Sequence, residues 1–323
     1  MSRRPARLAA GPYAPPVAVS ELSVISADGS RLHAELHGPE GAPAVVLAHG
    51  WTCSTAFWAP IVRELAADHR IVLYDQRGHG RSPAAGPGGY STHALADDLA
   101  AVLQQTLAPG ERAVVVGHSM GGMTLMAAAD RPQLRERAAA VLLCNTGSSR
   151  LIERGRVVPL RGERLRVRVQ RALLCSRAPL GPVTPLSRRL LKYVTMGPEA
   201  GPAVVEACAS IVHDCPRAVR AAWARVIGDL DLDAEVGRLA VPTAVLAGTA
   251  DRLTPLEHAR ALADRLPRCV GVTELDGLGH MAPVEDPAAV SGVIRGLVAT
   301  YGDVGGARAA VPESGRVRGA EES

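Results

Sequence analysis

Aromatic side chains are scarce in this 323-residue chain: one Phe, three Trp and five Tyr make up 3% of it. Lys192 is its single lysine beside many arginines. That skew, with the abundance of alanine, reads as the codon bias of a GC-rich bacterial gene and carries no chemical message. Paired cysteines are missing as well. Cys53, Cys144, Cys175, Cys208, Cys215 and Cys269 are scattered, with no C-x-x-C spacing and no histidine at metal-ligand spacing. A zinc or redox site is therefore excluded on spacing, no metal is expected, and the six are read as free thiols of a cytoplasmic protein. No apolar run approaches the roughly 18 residues of a membrane-spanning helix. Strong charge of one sign is also absent, since a net +4 is small for this length and implies no nucleic-acid partner.

What is present is a globular balance, 47% hydrophobic and 21% charged, long enough to bury a substantial core. The length suits two units, or one domain with a large insertion. Arg3-Arg4 is followed only by Leu8-Ala9-Ala10 before Gly11-Pro12 and Pro15-Pro16 intervene, too short for the apolar segment of a secretion signal. Positions 1–16 are read as a flexible arm, and the Gly-, Ala-, Arg- and Glu-rich stretch 302–323 as a disordered tail.

Between these ends, β-rich runs alternate with stretches of helical periodicity, the pattern of a mostly parallel sheet covered by helices. Positions 17–27 and 31–37, joined at Asp28-Gly29-Ser30, form an opening hairpin in this reading. Continuous apolar runs at 44–48, 70–74, 113–117, 139–144, 243–247 and 270–275 suit strands buried on both faces. Helical spacing falls at 57–67, 94–107, 120–130, 256–266 and 287–301. From 146 to 239 the rhythm changes: no strand is evident, and short helical stretches are broken by Pro159, Pro179, Pro182, Pro185, Pro198, Pro202 and Pro216. This segment is expected as a helical cap on a core formed by 17–145 and 240–301.

The strongest local motif is Gly117-His118-Ser119-Met120-Gly121-Gly122, a G-x-S-x-G sequence that follows one apolar run and precedes a helix. The sharp turn it encodes holds the serine in a strained conformation at the carboxyl edge of the sheet. There the helix N-terminus favours developing negative charge. A serine needs a base, and the base an orienting acid. Asp251 and His280 stand just past the runs 243–247 and 270–275, hence at the same sheet edge as Ser119. Competing bases are His118, expected to pack beneath the turn, and His79 in a Gly-rich loop. Competing acids are Asp276 and the group Asp229, Asp231 and Asp233, the latter placed by chain order at the opposite edge. His49-Gly50-Trp51 follows the run 44–48, so the backbone amides of Trp51 and Met120 are the expected oxyanion donors.

Together with Asp75-Gln76-Arg77-Gly78-His79-Gly80-Arg81-Ser82, these motifs resemble the α/β-hydrolase superfamily, in its capped esterase, lipase and C–C-hydrolase-like branch, from about position 17 to 301. The resemblance implies an α/β-hydrolase fold: a mostly parallel eight-stranded sheet flanked by helices, with a helical cap inserted after the sixth strand. It also implies structural roles for Asp75, Arg77 and Ser82. Some relatives carry the acid one strand earlier, where this chain has Asn145, which cannot hold the charge. A serine at the turn, in place of aspartate, argues against the epoxide hydrolases and haloalkane dehalogenases of the same scaffold, while the cofactor-free haloperoxidase-like branch shares the triad.

The expected activity is hydrolysis of a carboxylic ester by Ser119, His280 and Asp251 without a cofactor, on a small-molecule acyl substrate. Cleavage of a thioester or C–C bond, and non-hydrolytic acyl transfer or cyclisation in secondary metabolism, use the same parts. A fold retained as a binding module is a further alternative. Between positions 150 and 192, twelve cations face only Glu153 and Glu163. That is a solvated helical face or, more sharply, a basic surface for an anionic substrate, an acyl-carrier partner or a lipid headgroup.

Overall fold

The computed structural model describes residues 11–86 and 88–302. Eight strands form one sheet: β1 (Ser20–Ile25), β2 (Arg31–His37), β3 (Ala44–Ala48), β4 (Arg70–Tyr74), β5 (Ala113–His118), β6 (Ala138–Cys144), β7 (Thr243–Gly248) and β8 (Cys269–Leu275). Their order is β1-β2-β4-β3-β5-β6-β7-β8. The pairs β1/β2 and β2/β4 are antiparallel, so the sheet opens mixed, and every later pair is parallel.

Period-two alternation divides the central strands between two apolar layers. Val46, Ala48, Val72, Tyr74 and Val115 face a core completed by Leu95, Leu99 and Leu103 of helix Thr92–Thr106 and by Met123 and Trp223. Val45, Leu47, Ile71, Leu73, Val114 and Val116 face the other, filled by Ile61 and Leu65 of helix Ala59–Leu65 and Ile294 and Leu297 of helix Pro287–Tyr301. The expectation of full burial fails at β8, where Val270 and Val272 are 37% and 41% exposed. This strand ends the sheet order, so its apolar run is an edge property and not a core one.

Between β6 and β7 the chain forms helices Leu151–Arg154, Glu163–Leu174, Pro185–Thr195, Pro202–Asp214, Arg217–Gly228 and Asp233–Val236, with no strand. They are rooted unevenly. Pro202–Asp214 sends Val204, Val205, Cys208 and Ile211 into one core, and Trp223 of Arg217–Gly228 enters the other. By contrast Glu163–Leu174 buries only Gln170, and Pro185–Thr195 only Thr195.

Residues 11–16, expected within a flexible arm, are tied down: Arg63 donates to the carbonyls of Gly11, Pro12 and Ala14, and Ala14 is buried. The rest of that arm and the expected tail beyond Gly302 lie outside the described residues.

The loop after β4 is fixed by charge. Arg77 and Asp98 are each 1% exposed and joined by two bonds of 2.7 and 2.5 Å, while Asp28 takes a third guanidinium hydrogen at 2.9 Å. Removing one member of a buried pair leaves the other desolvated. Asp98→Ala should therefore lower unfolding free energy by about 3–5 kcal/mol in urea titration. A loss under about 1 kcal/mol would mean that Asp28 and the Gly89 carbonyl satisfy Arg77 without Asp98.

Candidate active site

Strand β5 runs into helix Met120–Ala127 through a single non-helical residue, Ser119, at φ 52° and ψ −116°. Small neighbours make the turn feasible. A Cβ on Gly121 would lie 2.0 Å from the Ala48 carbonyl oxygen, and one on Gly117 2.5 Å from the Gly121 backbone. The strained residue is held by its backbone: Ser119 N–H donates to the Cys144 carbonyl at 3.0 Å, and its carbonyl accepts from Met123 N–H and the Thr146 hydroxyl. His118 and Met120 are buried on either side while Ser119 is half-buried.

Two loops at the same sheet edge carry the other expected groups. His280 Nδ1 lies 2.8 Å from Asp251 Oδ2, and each residue is 4% exposed. Because a carboxylate only accepts, the imidazole carries its proton on Nδ1 and leaves Nε2 as the basic nitrogen. Asp251 Oδ2 also accepts from the Thr254 hydroxyl at 2.8 Å and Asn145 Nδ2 at 3.0 Å; Oδ1 accepts the amides of Leu253 and Thr254. Burial alone would raise this carboxyl, but His280 and these donors hold it below the ordinary carboxylate value.

The histidine loop is held from two sides. His118 Nε2 donates to the His280 carbonyl at 2.8 Å, and their ring centroids lie 5.0 Å apart, so the turn at Ser119 and the loop of His280 are joined through one side chain. Glu285 accepts from the amides of Gly279, Met281 and Gly197, the last at the end of helix Pro185–Thr195.

The loop after β3 closes on the same point, with a Cβ built on Gly50 falling 3.1 Å from Ser119 Cβ. His49 fixes it, donating from Nδ1 to the Gly50 carbonyl at 2.7 Å and accepting the Gln76 amide on Nε2 at 3.0 Å. Gln76 returns a short bond to the His49 carbonyl. The backbone amides of Trp51 and Met120 are used by no hydrogen bond among the described residues. The Trp51 indole donates to the Arg220 carbonyl at 3.0 Å, linking this loop to the helices between β6 and β7.

The competing residues are occupied elsewhere. His79 is buried and accepts the Thr52 amide; Asp276 is at an exposed turn with Thr249. Asp229 pairs with Arg171, and Asp233 with Ser148 and Arg265. Asp75 accepts the amides of Thr55 and Arg81, and the Ser82 hydroxyl donates to the Asp75 carbonyl, buttressing the loop of Gly50 from behind. Three contributors were not expected from sequence. Asn145 is a donor to Asp251, where the sequence shows only the lack of an acid; Thr254 and Glu285 carry no motif. A left-handed φ of 46° at Asn145, just past β6, is the one local peculiarity that marks it.

The sequence profile of the alpha/beta hydrolase family matches residues 45–293. The chain is 34% identical to RutD of Variovorax paradoxus, provisionally assigned as a carbamate hydrolase, over 80% of this chain and 92% of that one. A RutD of the same assignment from Stutzerimonas stutzeri is 30% identical over 79% and 92%. In structure it is similar to the esterase RhEst1 from Rhodococcus sp. ECU1013, with a TM-score of 0.72 and 24% identity over 88% of this chain and 100% of that one. It is similar also to a thermophilic esterase from Thermogutta terrifontis, with a TM-score of 0.70 and 24% identity over 88% and 99%.

Burial sets an acid limit on stability. It pushes His118 down to about 3 and His79 down to about 4, and holds His49 well below the ordinary value. Unfolding frees all three to protonate at about pH 6.5, so below that pH the unfolded chain binds more protons. Their stabilising effect is complete above about pH 6.5 and is lost as pH falls toward about 4. Asp75, pushed up to about 6 by burial, acts in the opposite sense, as do the raised carboxyls of Asp98, Asp214 and Glu285. His258, pushed down to about 4 by burial, and the lowered carboxyls of Glu35 and Asp251 act with the three histidines. The melting temperature should fall steadily from about pH 7 to about 4.5, and His79→Gln should shallow that slope. A flat profile in both proteins would contradict neutral burial.

Proposed function

The chain belongs to the alpha/beta hydrolase family, and from that premise we propose that it is a serine hydrolase cleaving a carboxylic ester through an acyl-enzyme. Ser119 Oγ attacks the ester carbonyl while His280 Nε2 takes its proton. Asp251 keeps the imidazole in the Nδ1–H tautomer and stabilises the charge that forms on it. The amides of Trp51 and Met120 receive the oxyanion, each worth roughly 10²–10³ in rate. His280 then returns the proton to the leaving alcohol. Water repeats the sequence to free Ser119 and release the acid, so no cofactor or metal enters the chemistry. The helices between β6 and β7 act as a cap whose core-facing side, not its exposed leucines, shapes the acyl pocket.

One observation carries the reading: a strained serine at φ 52° on the sheet edge that also bears a buried His280–Asp251 pair 2.8 Å apart. The RutD relatives favour a second reading, in which the substrate is a carbamate: the same attack expels its leaving group to give a carbamoyl-enzyme, which water then hydrolyses. Six free cysteines, four of them buried, support a reducing, cytoplasmic setting.

Ser119→Ala should cut kcat for p-nitrophenyl butyrate by at least about 10³-fold with an unchanged circular dichroism spectrum. A fluorophosphonate probe should label the parent protein and not the variant. Asp251→Asn should lower kcat on the order of 10⁴-fold. Wild-type-like turnover by Ser119→Ala would overturn the mechanism, and a matched panel of esters, thioesters and carbamates ranks the acyl classes by kcat/KM.

A further inference from the structure

The two helices that bury almost nothing each expose an apolar face. Leu186 and Leu190 are 77% and 61% exposed, and with Tyr193 they recur at i, i+4 and i+7, so one face of helix Pro185–Thr195 is apolar and open. On helix Glu163–Leu174, Leu165 and Leu173 are 57% and 62% exposed and eight residues apart, again on one face. Leu180, in the connector between them, is 44% exposed. Scattered exposed leucines are ordinary, but a series confined to one segment marks a surface that meets something.

Charge says what it meets. Residues 156–195 contain ten cations and a single acid, Glu163. Arg156, Arg171 and Arg188 are spent on Glu257, Asp229 and Glu206. Arg161, Arg164, Arg168 and Arg177 are exposed and have no ion-pair partner among the described residues. We propose that segment 156–195 is a peripheral docking surface for an anionic lipid bilayer. Leucines on helical faces enter the headgroup boundary, and the unpaired arginines beside them meet lipid phosphates. A bilayer suits the apolar groups better than a soluble acidic protein does, because they are spread along two helices and their connector.

The placement has a consequence for the proposed site. The segment leaves the core where Arg156 N–H donates to the Arg252 carbonyl at 2.7 Å, beside Asp251, and returns where Met281 N–H donates to the Thr195 carbonyl at 3.1 Å, beside His280. Docking would hold the edge carrying these groups near the lipid interface, favouring amphiphilic acyl substrates. The docking itself does not depend on Ser119 being the nucleophile, and its test reads binding alone.

Co-sedimentation of the full chain with vesicles is the direct test, comparing pure phosphatidylcholine with a mixture containing about one-third phosphatidylglycerol. Partitioning should be at least about tenfold stronger on the anionic vesicles and should weaken as salt rises past about 0.15 M. Replacing the three exposed leucines together (Leu165→Gln, Leu186→Gln, Leu190→Gln) should cost about tenfold in partitioning. Melting temperature and hydrolysis of a short soluble ester should stay unchanged, which separates lost docking from lost folding. Absence of binding to anionic vesicles at low salt would overturn the proposal. So would full binding by the triple variant, or capture of an acidic carrier protein in place of the vesicles.

Discussion

Backbone meets backbone where β3 ends and helix Met120–Ala127 begins, and this crossing constrains everything at the sheet edge. The Ala48 carbonyl leaves no room for a side chain at position 121, and the Gly121 backbone leaves none at 117. The chain can make the turn only with Ser119 in a sparsely populated conformation, at a cost of about 1–3 kcal/mol. The surrounding structure offsets that cost through the bonds of Ser119 to Cys144, Met123 and Thr146. The strain has a use in the proposed mechanism: it stands the hydroxyl at a helix N-terminus, against the loop of Gly50, without any rearrangement at the moment of reaction.

The same economy governs the charged partner. Asp251 is buried, and an unpaired carboxylate there would be protonated; five hydrogen bonds keep it ionised. Those donors come from β6, β7 and β8 connections, so the charge state of one residue depends on the register of three adjacent parallel strands. The helical segment between β6 and β7 divides along a similar line. Helices Leu151–Arg154, Pro202–Asp214 and Arg217–Gly228 are anchored in the cores, whereas Glu163–Leu174 and Pro185–Thr195 lie on the surface with leucines and arginines outward, leaving them free to meet a partner.

Much of this was legible in the chain. Strands covered on both faces announce themselves as unbroken apolar runs, so β3 and β4 agree with the sequence to the residue. The placement of Ser119, Asp251 and His280 at one sheet edge follows from a glycine-bracketed motif and from the rule that parallel strands end at one edge. β8 misled because an apolar run looks alike at the edge of a sheet and in its middle. Thr254 bonds Asp251 from only three positions away and lacked merely a motif to mark it, whereas Asn145 and Glu285 were illegible for another reason. Asn145 meets Asp251 across 106 positions and Glu285 meets Gly197 across 88, so their roles exist only once the sheet has assembled. Residues 11–16 look like part of a flexible arm from their prolines, and only the position of Arg63 reveals why they are held.

The central claim is spatial: one serine, one imidazole and two backbone amides converge on a single acyl carbon. A crystal structure of the protein inactivated by a p-nitrophenyl alkylphosphonate tests it most directly. The account predicts phosphorus bonded to Ser119 Oγ, with the phosphoryl oxygen about 3 Å from the amide nitrogens of Trp51 and Met120 and His280 Nε2 within hydrogen-bond reach of the adduct. A phosphonate attached to another residue, or a phosphoryl oxygen turned away from both amides, would contradict it.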